Sequence, residues 1–315
     1  MTCLVTGGTG FIGSWVAKAI LEAGHKVVVF DLNPNMTIFN TVLGDRAKEI
    51  TIVQGDLTQL YTVLNVIKQH NVTHIAHIAA AVLKVCAANP PLAMRINVMG
   101  MTNMLEACRI MGIQRMVWAS SAGVFGGGWD DKPIPNDARF RPHGIYGASK
   151  VMGEALAEHY NAAYGVDVIG LRYSFVTGHG MPDSVGRKAI VELCEKPALG
   201  EPSQPIWTED TPDFLWAGDA GRATAMALDC KPTKTRAFNV GGDPRKMTDA
   251  IAYVQKLCPG AKMELQPGKM GFNKLDLSTT TAEIGYTPEW TMERQMVAHV
   301  NRARASKGLP LVQQI

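Results

Sequence analysis

The nine residues VTGGTGFIG, Val5 to Gly13, leave this chain few folds to choose from. They follow a short apolar run, TCLVT, and open GSWVAKAILEAG, whose apolar residues recur at helical spacing before Gly24 ends the pattern. Gly8, Gly10 and Gly13 satisfy G-x-G-x-x-G, while Gly7, Gly10 and Gly13 give G-x-x-G-x-x-G. Glycines at these intervals let the backbone turn tightly and approach a pyrophosphate, and let the helix pack close on the strand. The helix N-terminus then offers N–H donors and the positive end of its dipole. The residues Gly7, Gly10, Phe11, Ile12 and Gly13 are therefore the expected phosphate cradle. A second apolar run, KVVVFD, ends in Asp31, where a carboxylate can accept both ribose hydroxyls and repel a 2′-phosphate. No arginine follows in DLNPN, so the pattern predicts NAD rather than NADP.

The alternation continues through ITIVQGD, VTHIAHIAA, RMVWASS and VDVIGLRYSF as strands three to six, with helical patterns between them. Val/Ile-rich runs separated by helices imply a parallel sheet covered on both faces, a doubly wound α/β architecture. Beyond Phe175 the pattern turns irregular and rich in Gly and Pro. DFLWAGDAGRATAMALDC and AFNVGG read as strands and a helix returning to the main sheet. The division expected is a dinucleotide-binding (Rossmann) domain over 1–175 plus about 213–242. A smaller, discontinuous C-terminal substrate domain would comprise 176–212 and 243–315.

Composition narrows the partners. The 315 residues are 46% hydrophobic and 19% charged, with a formal net charge of +3 and no dense Lys/Arg block, which argues against a nucleic-acid partner. Six scattered cysteines with no metal-like spacing read as free thiols in a reducing compartment, with no metal site. The start lacks a signal-peptide pattern, and the longest apolar stretch, VTHIAHIAAAVLKVCAA, is broken by two histidines and a lysine. A cytoplasmic protein without a membrane partner is expected.

YGASK places Tyr146 and Lys150 four residues apart at the start of a helical stretch, on one face. Ser120 and Ser121 end strand five, where ligands bind in such sheets. Together with TGGTGFIG, GDL, HIAA, Asn97 in RINVMG, SSAGVFG, LRYSFVTG and EIGYTPEW, these pieces resemble the extended short-chain dehydrogenase/reductase family over nearly the whole chain. The resemblance implies NAD as cofactor and Tyr146 as general base, with Lys150 lowering its pKa and holding the nicotinamide ribose. It implies Ser121 as the hydroxyl that orients the substrate, Ser120 being the second candidate. Asp56 and Leu57 would contact the adenine. His77, Ala79 and Ala80 would pass close to the cofactor, and Asn97 would complete the site; His77 reads equally as a core histidine. Phe175 and His179 are the remaining candidate substrate contacts. A homodimer through a four-helix bundle is implied as well.

Two positions depart from the nucleotide-sugar branch of that family. Phe175 stands where an Asn is usual, and Pro212 where an arginine precedes DF. Both changes remove polar contacts to a diphosphate, so the sequence favours oxidation of a small hydroxylated substrate: a polyol, sugar, hydroxy acid or amino-hydroxy acid. The alternative is a nucleotide-sugar 4-epimerase or dehydratase with tightly held NAD. A non-catalytic NAD-sensing protein is the third reading, disfavoured by the intact Ser121, Tyr146 and Lys150. The loop GGGWDDKPIPND reads either as a lid or as a plain connection.

Overall fold

The computed structural model describes residues 1–315 apart from Gly128, Asp130 and Asp131. Part of the GGGWDDKPIPND loop thus lies outside the described residues. Its later part is tied down: Ile134 exchanges backbone hydrogen bonds with Lys274 and Asp276, and Asn136 bonds Ala237 and Asn239.

The first half runs β1 (Thr2–Thr6), α1 (Phe11–Glu22), β2 (Lys26–Asp31), α2 (Met36–Leu43), β3 (Thr51–Gln54), α3 (Leu60–Gln69) and β4 (His74–His77). Two short helices follow, α4 (Leu83–Ala88) and α5 (Pro90–Met94), the latter continuing through a wide turn at Arg95–Met99 into α6 (Gly100–Met111). Then come β5 (Arg115–Ser121), the long α7 (Gly144–Tyr164) and β6 (Val168–Tyr173). The remainder is β7 (Phe175–Thr177), α8 (Val185–Ile190), α9 (Lys196–Ala198), β8 (Asp213–Trp216), α10 (Ala217–Asp229), β9 (Ala237–Val240), β10 (Asp243–Pro244), α11 (Met247–Leu257), α12 (Ser278–Ile284) and α13 (Met292–Ala305).

Seven strands form a parallel sheet in the order β3-β2-β1-β4-β5-β6-β9. The order reverses between β1 and β4, the switch point beside which dinucleotides bind in such sheets. Period-two alternation sends Cys3 and Val5 of β1 to one face, against Val16, Ala17 and Ile20 of α1. Leu4 goes to the other face, against Met101, Met104 and Leu105 of α6. Both faces are therefore buried, which is why these strands read as continuous apolar runs. Met101 and Met104 of α6 fill this second layer, while Met99 just before α6, Ile110 on it, and Met152 and Tyr164 on α7 remain exposed.

Two expectations are corrected. VDVIGLRYSF is not one strand: pairing with β5 and β9 stops at Tyr173, and Phe175–Thr177 starts a separate three-stranded sheet, β10-β8-β7. DFLW does not return to the main sheet either; β8 pairs with β7 and β10, and AFNV alone closes the large sheet beside β6. The reason is Ser174, whose N–H bonds Val240 at the end of the neighbouring strand and which releases the chain into the second layer. The helix Met36–Leu43, capped by the Asn35 side chain, was not expected from the sequence. Among the described residues no helix is long and apolar enough to cross a membrane.

One buried ion pair fastens α7 to the sheet. Glu154 accepts from Arg172 Nε at 2.9 Å and Nη2 at 2.7 Å, and from Ser120 Oγ at 2.6 Å. Removing one partner of such a pair leaves an uncompensated charge, which costs about 3–5 kcal/mol. Arg172→Met should therefore destabilise the protein by about that amount in urea unfolding, whereas Glu154→Met/Arg172→Met together should recover most of it. A single variant as stable as the wild type would contradict this account.

Candidate active site

Strand β1 delivers the chain into the glycine turn. Gly7 adopts φ +63°, and its N–H bonds Phe30 O at 2.8 Å. A Cβ on Gly13 would lie 2.0 Å from Gly7 O, so no other residue fits there without moving the turn. Gly8 instead packs under Val29, where a Cβ would meet Cγ2 at 2.6 Å. The cleft is walled by Gly7, Gly10 and Gly13, not Gly8, so of the two spacings the 7-10-13 set is the one that faces the ligand space. Helix α1 has no side-chain cap and no acidic residue in its first turn. Its first N–H groups are left for an anionic ligand.

The cleft encloses about 450 Å³. Phe11, Ile12, Asp31, Asp56, Leu57, Ala79 and Ala80 line it, as do Ser121, Tyr146 and Lys150. Asp31 is held in place by Thr9, whose hydroxyl donates to Oδ2 at 2.7 Å and whose N–H does so at 3.1 Å. Asp56 caps its own turn by accepting from Thr58 N at 2.8 Å. An adenosine fits this end: a carboxylate at the end of β2 and an apolar floor at Leu57.

At the other end, Ser121 hydrogen-bonds Tyr146. Ser121 Oγ also accepts from Gly123 N at 3.0 Å. Burial pushes the Tyr146 phenol above its ordinary value, with the Ser121 bond acting against that shift. Lys150 Nζ lies 5.6 Å from the Tyr146 ring centroid and donates to Ala119 O at 2.6 Å. Burial lowers the ammonium itself to about 8. The positive nicotinamide ring that NAD would bring would join the Ser121 bond in favouring phenolate.

Four expected contacts do not line the cleft, and a fifth, Ser120, lines it with its hydroxyl already engaged. His77 is buried, 2.7 Å from Thr6 Oγ1, and burial lowers it to about 3: it is a core histidine. Asn97 clamps the backbone of Ala81, accepting from its N–H at 2.7 Å and donating to its carbonyl at 2.9 Å, and so shapes the wall from behind. Ser120 borders the cleft, but its hydroxyl is spent on Glu154. Phe175 packs on Phe272 at 4.7 Å between ring centroids and against Trp207. Strand alternation gives the cleft Ser174 and Val176 instead. His179 packs edge-on to Trp216 and His299. The sequence reading missed Thr9, Ser174, Glu154 and Tyr173, whose hydroxyl bonds Thr224 Oγ1 at 2.6 Å. Only Glu154 had a sequence signal, four residues past Lys150 on the same helix face.

Comparison with known proteins places this geometry. The model of the NAD dependent epimerase/dehydratase family matches residues 3–241. UDP-glucuronate 4-epimerase 4 of Arabidopsis thaliana is 28% identical over 91% of this chain and 72% of its own length. A putative UDP-glucose 4-epimerase of Methanocaldococcus jannaschii is 31% identical, covering 95% of this chain and 97% of its own. Among solved structures, the L-threonine dehydrogenase of Cupriavidus necator superimposes with TM-score 0.84 at 25% identity, over 95% of this chain and 99% of that one. The UDP-glucose 4-epimerase of Thermus thermophilus, complexed with NAD, gives TM-score 0.78 at 28% identity, over 97% and 100%.

Lys150 is the residue whose placement costs the fold most visibly. Its folded pKa, about 8, lies below the ordinary 10.5, so the charged form is penalised below pH 8 and the penalty fades as pH rises to about 10.5. Lys150→Met should raise the melting temperature of the cofactor-free protein at neutral pH and flatten its pH dependence between those values. The same variant should bind NAD more weakly in calorimetry. A lowered melting temperature would show that the ammonium is structural.

Proposed function

The chain belongs to the NAD-dependent epimerase/dehydratase family of extended short-chain dehydrogenases/reductases, and within it we propose that it oxidises a secondary hydroxyl of a nucleotide sugar as the first half of a 4-epimerisation. The observation that carries the oxidative half is the convergence of Ser121, Tyr146 and Lys150 at the end of one cleft whose other end is the glycine turn and Asp31. The sugar-nucleotide half is supported by curated relatives that align over nearly the whole chain.

NAD supplies the hydride acceptor. The first N–H groups of α1 hold its pyrophosphate and Asp31 its adenine ribose. Tyr146 takes the hydroxyl proton, and Ser121 orients the substrate oxygen through the bond it now makes to Tyr146. Lys150 holds the nicotinamide ribose and keeps positive charge beside the phenol. Ser174 and Val176 border the space above Tyr146, and segments 176–212 and 243–315 form the substrate layer. Reduction of the resulting ketone from its opposite face completes an epimerisation, whereas release of ketone and NADH makes a dehydrogenase.

This ordering reverses the one that Phe175 and Pro212 suggested in the sequence. Phe175 is turned away from the cleft, so its identity says less about the substrate than its position in LRYSFVTG implied. The dehydrogenase reading keeps one specific support: of the described residues lining the cleft, Lys150 is the one cation, and it is committed to Ala119. A diphosphate in a partly dry cleft calls for charged donors.

One assay separates the two. With UDP-glucose or UDP-glucuronate, the 4-epimer should appear by NMR without net NADH. NADH accumulation with threonine or a hydroxy acid, and no epimer, would overturn the epimerase reading. In either reaction Tyr146→Phe should lower turnover by about a hundredfold or more while NAD binding persists; activity within a few-fold of wild type would remove Tyr146 from its role.

The exposed Met99 just before α6, Ile110 on it, and Met152 and Tyr164 on α7 support a homodimer through these helices. Met99→Glu/Met152→Glu should sediment as a monomer where the wild type sediments as a dimer. Six free cysteines support a reducing, cytoplasmic setting.

A further inference from the structure

A second, smaller cavity of about 200 Å³ lies behind the Gly178–Pro182 turn and shares no lining residue with the main cleft. Its walls come from Ile38 of α2, Gly178, Gly180 and Met181 of the turn, Arg187 of α8, Glu195, and His299 and Arg302 of α13. The apolar side is one residue thick. A Cβ on Gly180 would meet Ile38 Cγ2 at 2.8 Å, and one on Gly178 would meet Phe11 Cε2 at 3.5 Å. Phe11 is itself a wall of the NAD cleft.

The polar side is unbalanced. Arg187 is matched by Glu195 through two bonds of 2.8 and 2.7 Å. Arg302 has no hydrogen-bond or ion-pair partner among the described residues. His299, 2% exposed, has a buried Nε2 with no hydrogen-bond partner. Two guanidinium groups against one carboxylate leave one positive charge around a small space, beside a buried polar nitrogen that nothing satisfies. Buried polar groups are ordinarily paired, and the residue that carries this orphan is one wall of the cavity. Arginine is the side chain best suited to hold an oxyanion by paired N–H donors.

We propose that this cavity binds a compact oxyanion of the phosphate type, with Arg302 as its principal donor, Arg187 beside it and His299 at the inner end. The size suits such a group: 200 Å³ is the space of roughly half a dozen waters at about 30 Å³ each, too little for a nucleotide. An occupant would brace the Gly178–Pro182 turn against Phe11, and so would favour the same arrangement of the cofactor cleft that NAD binds. By reciprocity, phosphate should then tighten NAD, and NAD phosphate.

The test is calorimetric titration of inorganic phosphate into the NAD-loaded protein in chloride-free buffer, so that the pyrophosphate cradle is already filled. Saturable binding of one phosphate per chain in the millimolar range or tighter is expected. Arg302→Gln should weaken it roughly tenfold or more. Lys188→Gln, an exposed charge that does not line the cavity, should leave it within about twofold. Arg302 is exposed and unpartnered, so its replacement should leave the melting curve in place. If it does not, Arg302→Lys, which keeps the charge but loses the fork, should show intermediate affinity. Ribose 5-phosphate in place of phosphate tells the source: tighter binding means a phosphorylated metabolite, weaker binding a free inorganic anion. No saturation in the wild type, or equal weakening by Arg302→Gln and Lys188→Gln, would overturn the proposal.

Discussion

Everything at the cofactor end depends on one close approach, that of Gly13 to the carbonyl of Gly7. Because no Cβ fits between them, the first turn of α1 lies directly against the turn that leaves β1, and its free N–H groups open into the cleft. The same closeness is repeated one layer out. Gly221 of α10 has no room for a Cβ beside the Trp15 carbonyl, at 2.5 Å, so α10 lies flush on α1. Helix α10 in turn carries Thr224, which bonds the Tyr173 hydroxyl at the end of β6. A chain of contacts fixed by missing side chains thus runs from the phosphate cradle to the opposite rim of the cleft.

The catalytic end is held by charge instead of backbone contact. Tyr146, Lys150 and Glu154 form one stripe along α7, and Glu154 binds Ser120 of β5 and Arg172 of β6. Ser121 and Tyr173, which both line the cleft, are the next residues along those strands, so one carboxylate sets their spacing. A buried pair of this kind adds little net stability over an apolar replacement. What it supplies is direction, since bidentate Arg–carboxylate geometry admits few alternatives. Lys150 is the counterpart: it is buried at a cost, anchored to Ala119, and held beside a phenol that burial alone would keep protonated.

The cofactor half was legible in the sequence because its requirements are local and concern residue type. Gly7, Gly10, Gly13 and Asp31 sit within one strand–helix–strand unit, and at Gly7 and Gly13 a Cβ would collide with backbone. Tyr146 and Lys150 were legible through helical spacing. The substrate half was not, because it depends on which way a strand faces after a one-residue break. Ser174 ends the large-sheet pairing, the chain enters a different sheet, and Phe175 points into an aromatic cluster with Phe272 and Trp207, residues far away in sequence. His77 and Asn97 were expected beside the cofactor, but a single hydrogen bond to Thr6 and a clamp on Ala81 turn their polar atoms into the wall. No spacing rule reports such partners.

The difference between an epimerase and a dehydrogenase has to arise in that less legible half. Under the proposed function both reactions begin with the same hydroxyl proton passing to Tyr146 and the same hydride leaving the substrate carbon. They part on whether the ketone turns over in place or departs, which is a property of the space above Tyr146 and of how long NAD stays. Ser174, Val176 and Pro182, just before and on a short strand and in the turn after it, line the same cleft as Tyr146. The turn is flanked by the cofactor cleft on one side and by the Arg187–Arg302 cavity on the other. Its backbone uses glycines at φ +150° and +93°, conformations open to few other residues. The turn still has fixed points: Trp15 Nε1 donates to the His179 carbonyl at 3.1 Å, and the His179 ring packs edge-on to Trp216 and His299. The turn lies between the two cavities, so a shift in it would alter both.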